Sequence, residues 1–280
     1  NHYELSMGEG KPINIYVTDD YDQTYGKGFA YDELKNMILS IEKKRGFKPY
    51  ALPNSSLDVI LYTNESNTPL PTDNQASAET QLANTGQGVP VEILVNGSNM
   101  HRDFRQILVH ELYHYFDHQW IVSNGETYAK YWGDDAYFWY MEGSAEYAAY
   151  FFYDYPSNTK NHLKPYNITN NKESMLNYIR QQGGVKSNVK GISLNQFGDI
   201  MFVSNSNYGV AVSLFWYLSQ QFGYDKVYDY IAYVQQQFSN ASTITTEQRE
   251  EAAIQYLGKT EKQILSDWMG YFDNFSSVTN

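Results

Sequence analysis

Apolar and polar positions alternate over Ile13-Asn14-Ile15-Tyr16-Val17, the period of a half-buried strand, and Thr18-Asp19-Asp20 then breaks the pattern as a loop would. From Tyr31 to Lys44 the period changes, and Leu34, Met37, Ile38 and Ile41 recur at helical spacing. Val59-Ile60-Leu61-Tyr62 reads as a short apolar strand, Asn64 to Ala76 as a surface loop, and Val89 to Val95 as a further strand. Pro90, near the start of that strand, cannot donate to a ladder, which predicts a position at a sheet edge. Residues 1 to 96 therefore predict strands and one helix.

From about Asp103 the pattern turns helical. Phe104, Ile107, Leu108 and Leu112 form one apolar stripe, and a second helix is expected from Ala136 to Tyr153. Ser157 to Ser206 is polar and yields no assignment. Val210 to Phe222 predicts a strongly apolar helix stopped by Gly223. Lys226 to Phe238, Glu247 to Leu257 and Glu261 to Phe272 predict three more helices. No repeat period and no low-complexity linker interrupts this order. The expected fold is α+β: an N-terminal α/β lobe over residues 1–118 with a mixed sheet and an edge strand, then a mainly helical C-terminal lobe over residues 119–280.

Composition narrows the function classes. With 42% hydrophobic and 19% charged residues among 280, the chain is globular and long enough to bury a large core. A formal charge of -12 argues against nucleic acid or an anionic membrane surface as partner. No apolar run approaches the roughly 18 residues that a membrane-spanning helix needs. The absence of cysteine excludes disulfides, a cysteine zinc site and a thiolate nucleophile. It fits a bacterial secreted or cell-surface protein, whose export signal is expected to have been removed or to lie outside this sequence. The 27 tyrosines suit wet grooves and contact surfaces, since each offers an apolar face with a polar tip. A monomer is expected.

The chemistry concentrates in His110-Glu111-Leu112-Tyr113-His114, carried by the Phe104–Leu112 stripe. On a helix, two histidines four apart share one face and can reach one ion, while the adjacent glutamate can serve as general base. A five-residue pattern of this kind arises by chance in about one chain per hundred of this length, so its context matters. A catalytic zinc needs three protein ligands and one open position. Asp117 and Trp120 stand where one group of peptidases places a glycine and a third histidine, which excludes that variant. His118, eight positions beyond His110, swings about 80° off the metal-facing side. A further candidate is Glu142, in Trp139-Tyr140-Met141-Glu142-Gly143-Ser144-Ala145-Glu146, which by itself reads as a solvated helix charge. Asp19-Asp20-Tyr21-Asp22 and Asp134-Asp135 invite a calcium reading, but neither has a glycine-centred ligand loop, and both read as solvated loop charges.

An HExxH helix followed by a helix bearing Glu-Gly-x-Ala-Glu resembles the gluzincin metallopeptidases, and more closely the peptidase-MA-like group and the peptidase module of clostridial collagenases. The resemblance spans about Val89 to Phe272 in outline and is specific from His110 to Glu146. It implies a thermolysin-like architecture with the zinc site in a cleft between the two lobes. It also implies that His110, His114 and Glu142 ligate zinc, and that Glu146, one turn beyond Glu142, accepts a hydrogen bond from the first histidine. Tyr208-Gly209-Val210-Ala211-Val212 is similar to the gluzincin helix whose tyrosine hydroxyl stabilises the oxyanion, which implies that role for Tyr208. The residue pattern by itself leaves other tyrosines open.

The same resemblance makes the Val89–Val95 edge strand a place where an extended substrate adds its backbone to the sheet. Aminopeptidases of the clan carry a Gly-x-Met-x-Asn element near here, where this chain reads Gly88-Val89-Pro90-Val91-Glu92. The expected activity is therefore a zinc-dependent endopeptidase acting on extended peptides or proteins. Its water would be activated by zinc, with Glu111 as general base. An aminopeptidase of the same clan, or a non-enzymatic surface binding protein of this fold, is the alternative. The resemblance does not extend to the collagen-binding and activator modules of collagenases, so collagen is not implied as substrate.

Overall fold

The alternation at residues 13–17 becomes strand β2 (Ile13–Val17), which buries Ile13, Ile15 and Val17 and leaves Tyr16 exposed. It belongs to a five-stranded mixed sheet with β1 (His2–Leu5), β3 (Asp58–Tyr62), β4 (Ala78–Leu82) and β5 (Pro90–Asn96), in the order β1-β2-β3-β5-β4. Strands β2, β3 and β5 run parallel, and β1 and β4 are antiparallel to their neighbours. The computed structural model describes residues 1–6, 12–25, 29–45, 57–62, 78–82, 90–96, 104–123, 135–153, 172–181, 185–203, 207–241 and 243–273. The Asn64–Ala76 segment read as a loop lies outside these residues.

The sheet corrects the expectation for the Val89–Val95 strand. Strand β5 is not at an edge, because β4 pairs with its free side from Ala78↔Val95 to Leu82↔Pro90. Pro90 is tolerated because it is the first residue of the strand and faces the register shift at Gln81/Leu82, where a missing donor breaks no regular ladder. The edge next to it is β4, whose Ala-Glu-Thr-Gln-Leu sequence carries too little apolar pattern to announce a strand.

A second correction concerns Thr18–Asp20. The acids there begin a helix, α1 (Asp19–Tyr25), with Asp19, Asp20 and Asp22 in its first turn, where the exposed N–H groups favour negative charge. Asp20 Oδ1 accepts from the Tyr21 N–H at 3.0 Å, and buried Asp22 accepts from the Asn1 side-chain amide. Asp19 is exposed, while Asp20 and Asp22 make helix-start and packing contacts in place of the solvated loop charges expected. Of the second acidic pair, Asp134 lies outside the described residues, and Asp135 opens a short 3-10 turn (Asp135–Tyr137). Helix α2 (Phe29–Arg45) buries Leu34, Met37, Ile38 and Ile41, the four positions picked out by their spacing.

Among the described residues nine further helices follow: α3 (Phe104–Ser123), α4 (Phe138–Phe151), α5 (Lys172–Gln181), α6 (Val185–Asn188), α7 (Asn207–Phe222), α8 (Tyr224–Tyr228), α9 (Tyr230–Gln237), α10 (Thr246–Leu257) and α11 (Glu261–Asp273). A 3-10 helix, Phe197–Phe202, precedes α7. The single helix expected over Lys226–Phe238 is two, α8 and α9, meeting at Asp229. Helix α10 starts on a Thr245 cap that accepts from the Gln248 N–H and stops at left-handed Gly258, φ 79°. Among the described residues no helix is long and apolar enough to cross a membrane.

The chain divides into two compact units, residues 1–124 with 148–167, and residues 125–147 with 168–280. In the first, α3 packs on α2, β4 and β5 over a core that includes Ile15, Ile38, Val59, Ile93, Leu108 and Leu112. In the second, α7 is the central helix, and Trp139, Phe215, Trp216 and Trp268 are buried. The fold is α+β.

Candidate metal centre

Every described side chain of α3, from Arg105 to Asp117, is buried. A helix covered on all sides has to bury its polar stripe as well as its apolar one. Leu108, Leu112 and Tyr115 lie among the apolar contacts, while Gln106, His110, His114 and Asp117 follow each other at intervals of four, four and three. That spacing aligns them along one face. Burying four polar side chains on one stripe is costly unless each has a partner.

The histidines face one another. Their Nε2 atoms are 3.0 Å apart, and the rings meet edge to face with centroids 4.6 Å apart. Glu142 joins them: one ligand atom from each of His110, His114 and Glu142 falls within 4.8 Å of the others. Among the described residues this is the only such convergence of metal-ligating side chains.

Helix α4 supplies Glu142 at a distinctive point. From Ala136 to Tyr150 every residue is buried except Glu142, which is half-buried. Its neighbour Gly143 explains how the helix is seated. A Cβ there would stand 2.6 Å from the Ala211 carbonyl oxygen and 3.1 Å from the Phe215 Cβ, so only glycine allows α4 and α7 to approach this closely. The Phe215 ring then meets those of Trp139, Tyr140 and Tyr147 at 6.4, 6.0 and 5.4 Å. The glycine of the Glu-Gly pair is a packing residue that fixes the height of the glutamate.

Two imidazole nitrogens and one carboxylate oxygen are a donor set that suits zinc. Atoms bound at about 2.0–2.1 Å to one tetrahedral ion stand about 3.4 Å apart, so the observed separations accommodate zinc after shifts of about an ångström. Three protein donors leave a fourth position open.

The remaining sequence-predicted residues are distributed as follows. Glu111 is buried on α3 beside His110. Glu146 is buried on α4, one turn beyond Glu142. Tyr208 opens α7 with 47% of its surface exposed and its ring edge-on to Phe138 at 5.8 Å, one turn before Glu142 on α4. The side chain of His118 lies outside the described residues. Gln106 and Asp117 are buried on the histidine face of α3, where a helical projection places them, and Arg105 is buried at the start of the same helix.

No protein-family profile matches the sequence, and no curated protein matches it. Among solved structures, the crystal structure of Legionella pneumophila aminopeptidase A in complex with aspartic acid is similar over 97% of this chain, at 14% identity and a TM-score of 0.48. The chain spans 27% of that structure's length.

Proposed function

We propose that this chain is a zinc-dependent peptidase of the gluzincin kind, with a thermolysin-like architecture and with His110, His114 and Glu142 as ligands. The observation that carries the reading is the convergence of those three side chains within 4.8 Å, with Glu111 buried beside the first of them. Zinc held there would supply Lewis acidity, polarising a carbonyl and lowering the pKa of water towards about 7.

The chain's own residues supply the rest. Glu111 takes the proton of the attacking water and delivers it to the leaving amine, a role that requires a carboxylate held close to the open ligand position. Its place on α3, one residue from His110, fixes it by backbone geometry. In this reading Glu146 would orient the His110 ring by accepting a hydrogen bond from its Nδ1, a contact that forms when an ion is held. Tyr208 donates its hydroxyl to the oxyanion, and its exposure leaves that hydroxyl accessible to substrate. The substrate backbone adds to β4, one of the two edge strands of the sheet, in place of the β5 position expected from the sequence.

Cleavage within extended peptides is the activity we infer, in a secreted or cell-surface protein. A proteome-derived peptide library, read by mass spectrometry with and without a chelator, tests it. Chelator-sensitive cuts at internal bonds support the endopeptidase. Cuts confined to free amino-terminal residues make it an aminopeptidase, and no cuts after zinc is supplied make it a binding protein.

A further inference from the structure

Glu261 is a buried carboxylate that the proposed reaction does not use. It opens α11, its own N–H donates to Glu250 Oε2 at 2.9 Å, and its Oε2 accepts the Phe197 N–H at 2.8 Å. Phe197 is the first residue of the 3-10 helix Phe197–Phe202. The two N–H groups before it, of Asn195 and Gln196, donate to Asp199 Oδ2 at 2.7 and 3.0 Å. Two carboxylates thus close the start of this helix, one from within it and one from 64 residues away.

What the clasp holds is a ring. Phe197 lies against Trp139 of α4 with centroids 4.7 Å apart, and Tyr230 of α9 meets both, at 6.4 and 6.3 Å. All three are buried. Trp139 stands three residues before Glu142 on the same helix. Packed aromatic rings transmit displacement because interiors are close-packed. A shift of Phe197 is therefore a shift of the helix turn that carries the third ligand.

We propose that Glu261 is a positioning residue for Glu142, acting through the Phe197 amide and the Phe197–Trp139 ring contact. The groups facing its carboxylate are Asp199 of the 3-10 helix, Arg249 and Glu250 of α10, and Tyr230 of α9. None of them replaces it, because the Phe197 N–H is directed at Glu261 alone. The proposal rests on the reading of Glu142 as a ligand, but its mechanical part does not.

Two readouts on the full chain separate them. Amide hydrogen exchange of the metal-free protein is expected to rise about tenfold in peptides covering 197–202 and 138–142 in Glu261→Ala, with 29–45 unchanged. Glu261→Gln, whose amide oxygen still accepts from Phe197, restores the parent rates. Zinc titration is expected to show about tenfold weaker binding in Glu261→Ala and parent-like binding in Glu261→Gln. Should the alanine variant not fold, Glu261→Asp, which retracts the carboxylate by one methylene, replaces it. Unchanged exchange at 138–142 in the disrupted variant, or failure of the glutamine to restore it, overturns the proposal. If the parent binds no zinc while exchange behaves as expected, the ligand reading fails and the mechanical link stands.

Discussion

Gly143 of α4 and Ala211 of α7 are in backbone contact: a Cβ on the glycine would stand 2.6 Å from the alanine carbonyl oxygen. Because the obstacle is backbone, it cannot swing aside. Gly143→Ala should therefore push the two helices apart and cost about 1–3 kcal/mol, the range for overpacking a tight interior. Since Glu142 is the next residue, zinc affinity should fall with stability. A urea midpoint and a zinc titration on the same variant check both, and an unchanged midpoint would show that the interface is looser than described.

Glu111 is expected to matter for turnover and not for metal. Glu111→Gln keeps the size of the side chain and removes its basicity. Hydrolysis should drop by about 10²–10⁴-fold, the range for loss of a general base, while zinc content stays at the parent level. Peptide turnover and metal analysis on one preparation decide it. Full activity in this variant would remove Glu111 from the mechanism.

Tyr208→Phe keeps the ring on Phe138 and deletes only the hydroxyl. If that hydroxyl meets the oxyanion, kcat should fall by about 10²–10³-fold with little change in KM or zinc binding. Steady-state kinetics on a quenched peptide check this. An unaffected kcat would assign the role to another tyrosine.

Stability should depend on pH through Glu261. Burial penalises its charged form and raises its pKa from 4.5 to about 7, with Glu250 and Asp199 adding to the rise and the Phe197 N–H and Arg249 opposing it. The folded state therefore keeps a proton that the unfolded chain has released. This contribution is fully present below about 4.5 and is lost as pH rises through about 7. Thermal melts of the metal-free protein at pH 6 and pH 8 should show a fall in the parent that Glu261→Gln reduces. Equal pH dependence in both would contradict it.

The convergence of His110, His114 and Glu142 was partly legible in the sequence because its parts are local. His110 and His114 share one face of a helix by periodicity, whereas Glu142 and Glu146, on another helix, follow from the family resemblance. What seats the helix of Glu142 was not legible as packing: Gly143 against Ala211 is a contact across 68 residues, and a lone glycine in a helical pattern does not name its partner. The sheet order was hidden for a related reason. β4 has polar residues at three of five positions, and its pairing with β5 is set by neighbours in space. A proline that can sit at a strand's first residue or at its edge was read as the edge. The 3-10 helix Phe197–Phe202 left no pattern because its order comes from carboxylates at Asp199 and Glu261, outside any period.

Zinc titration of the metal-free chain by calorimetry, alongside His110→Ala, His114→Ala and Glu142→Ala, tests the central claim most directly. One zinc per parent chain, with binding lost or greatly weakened in each of the three variants, is the predicted result. A parent that takes up no zinc, or variants that all bind it as the parent does, would contradict it.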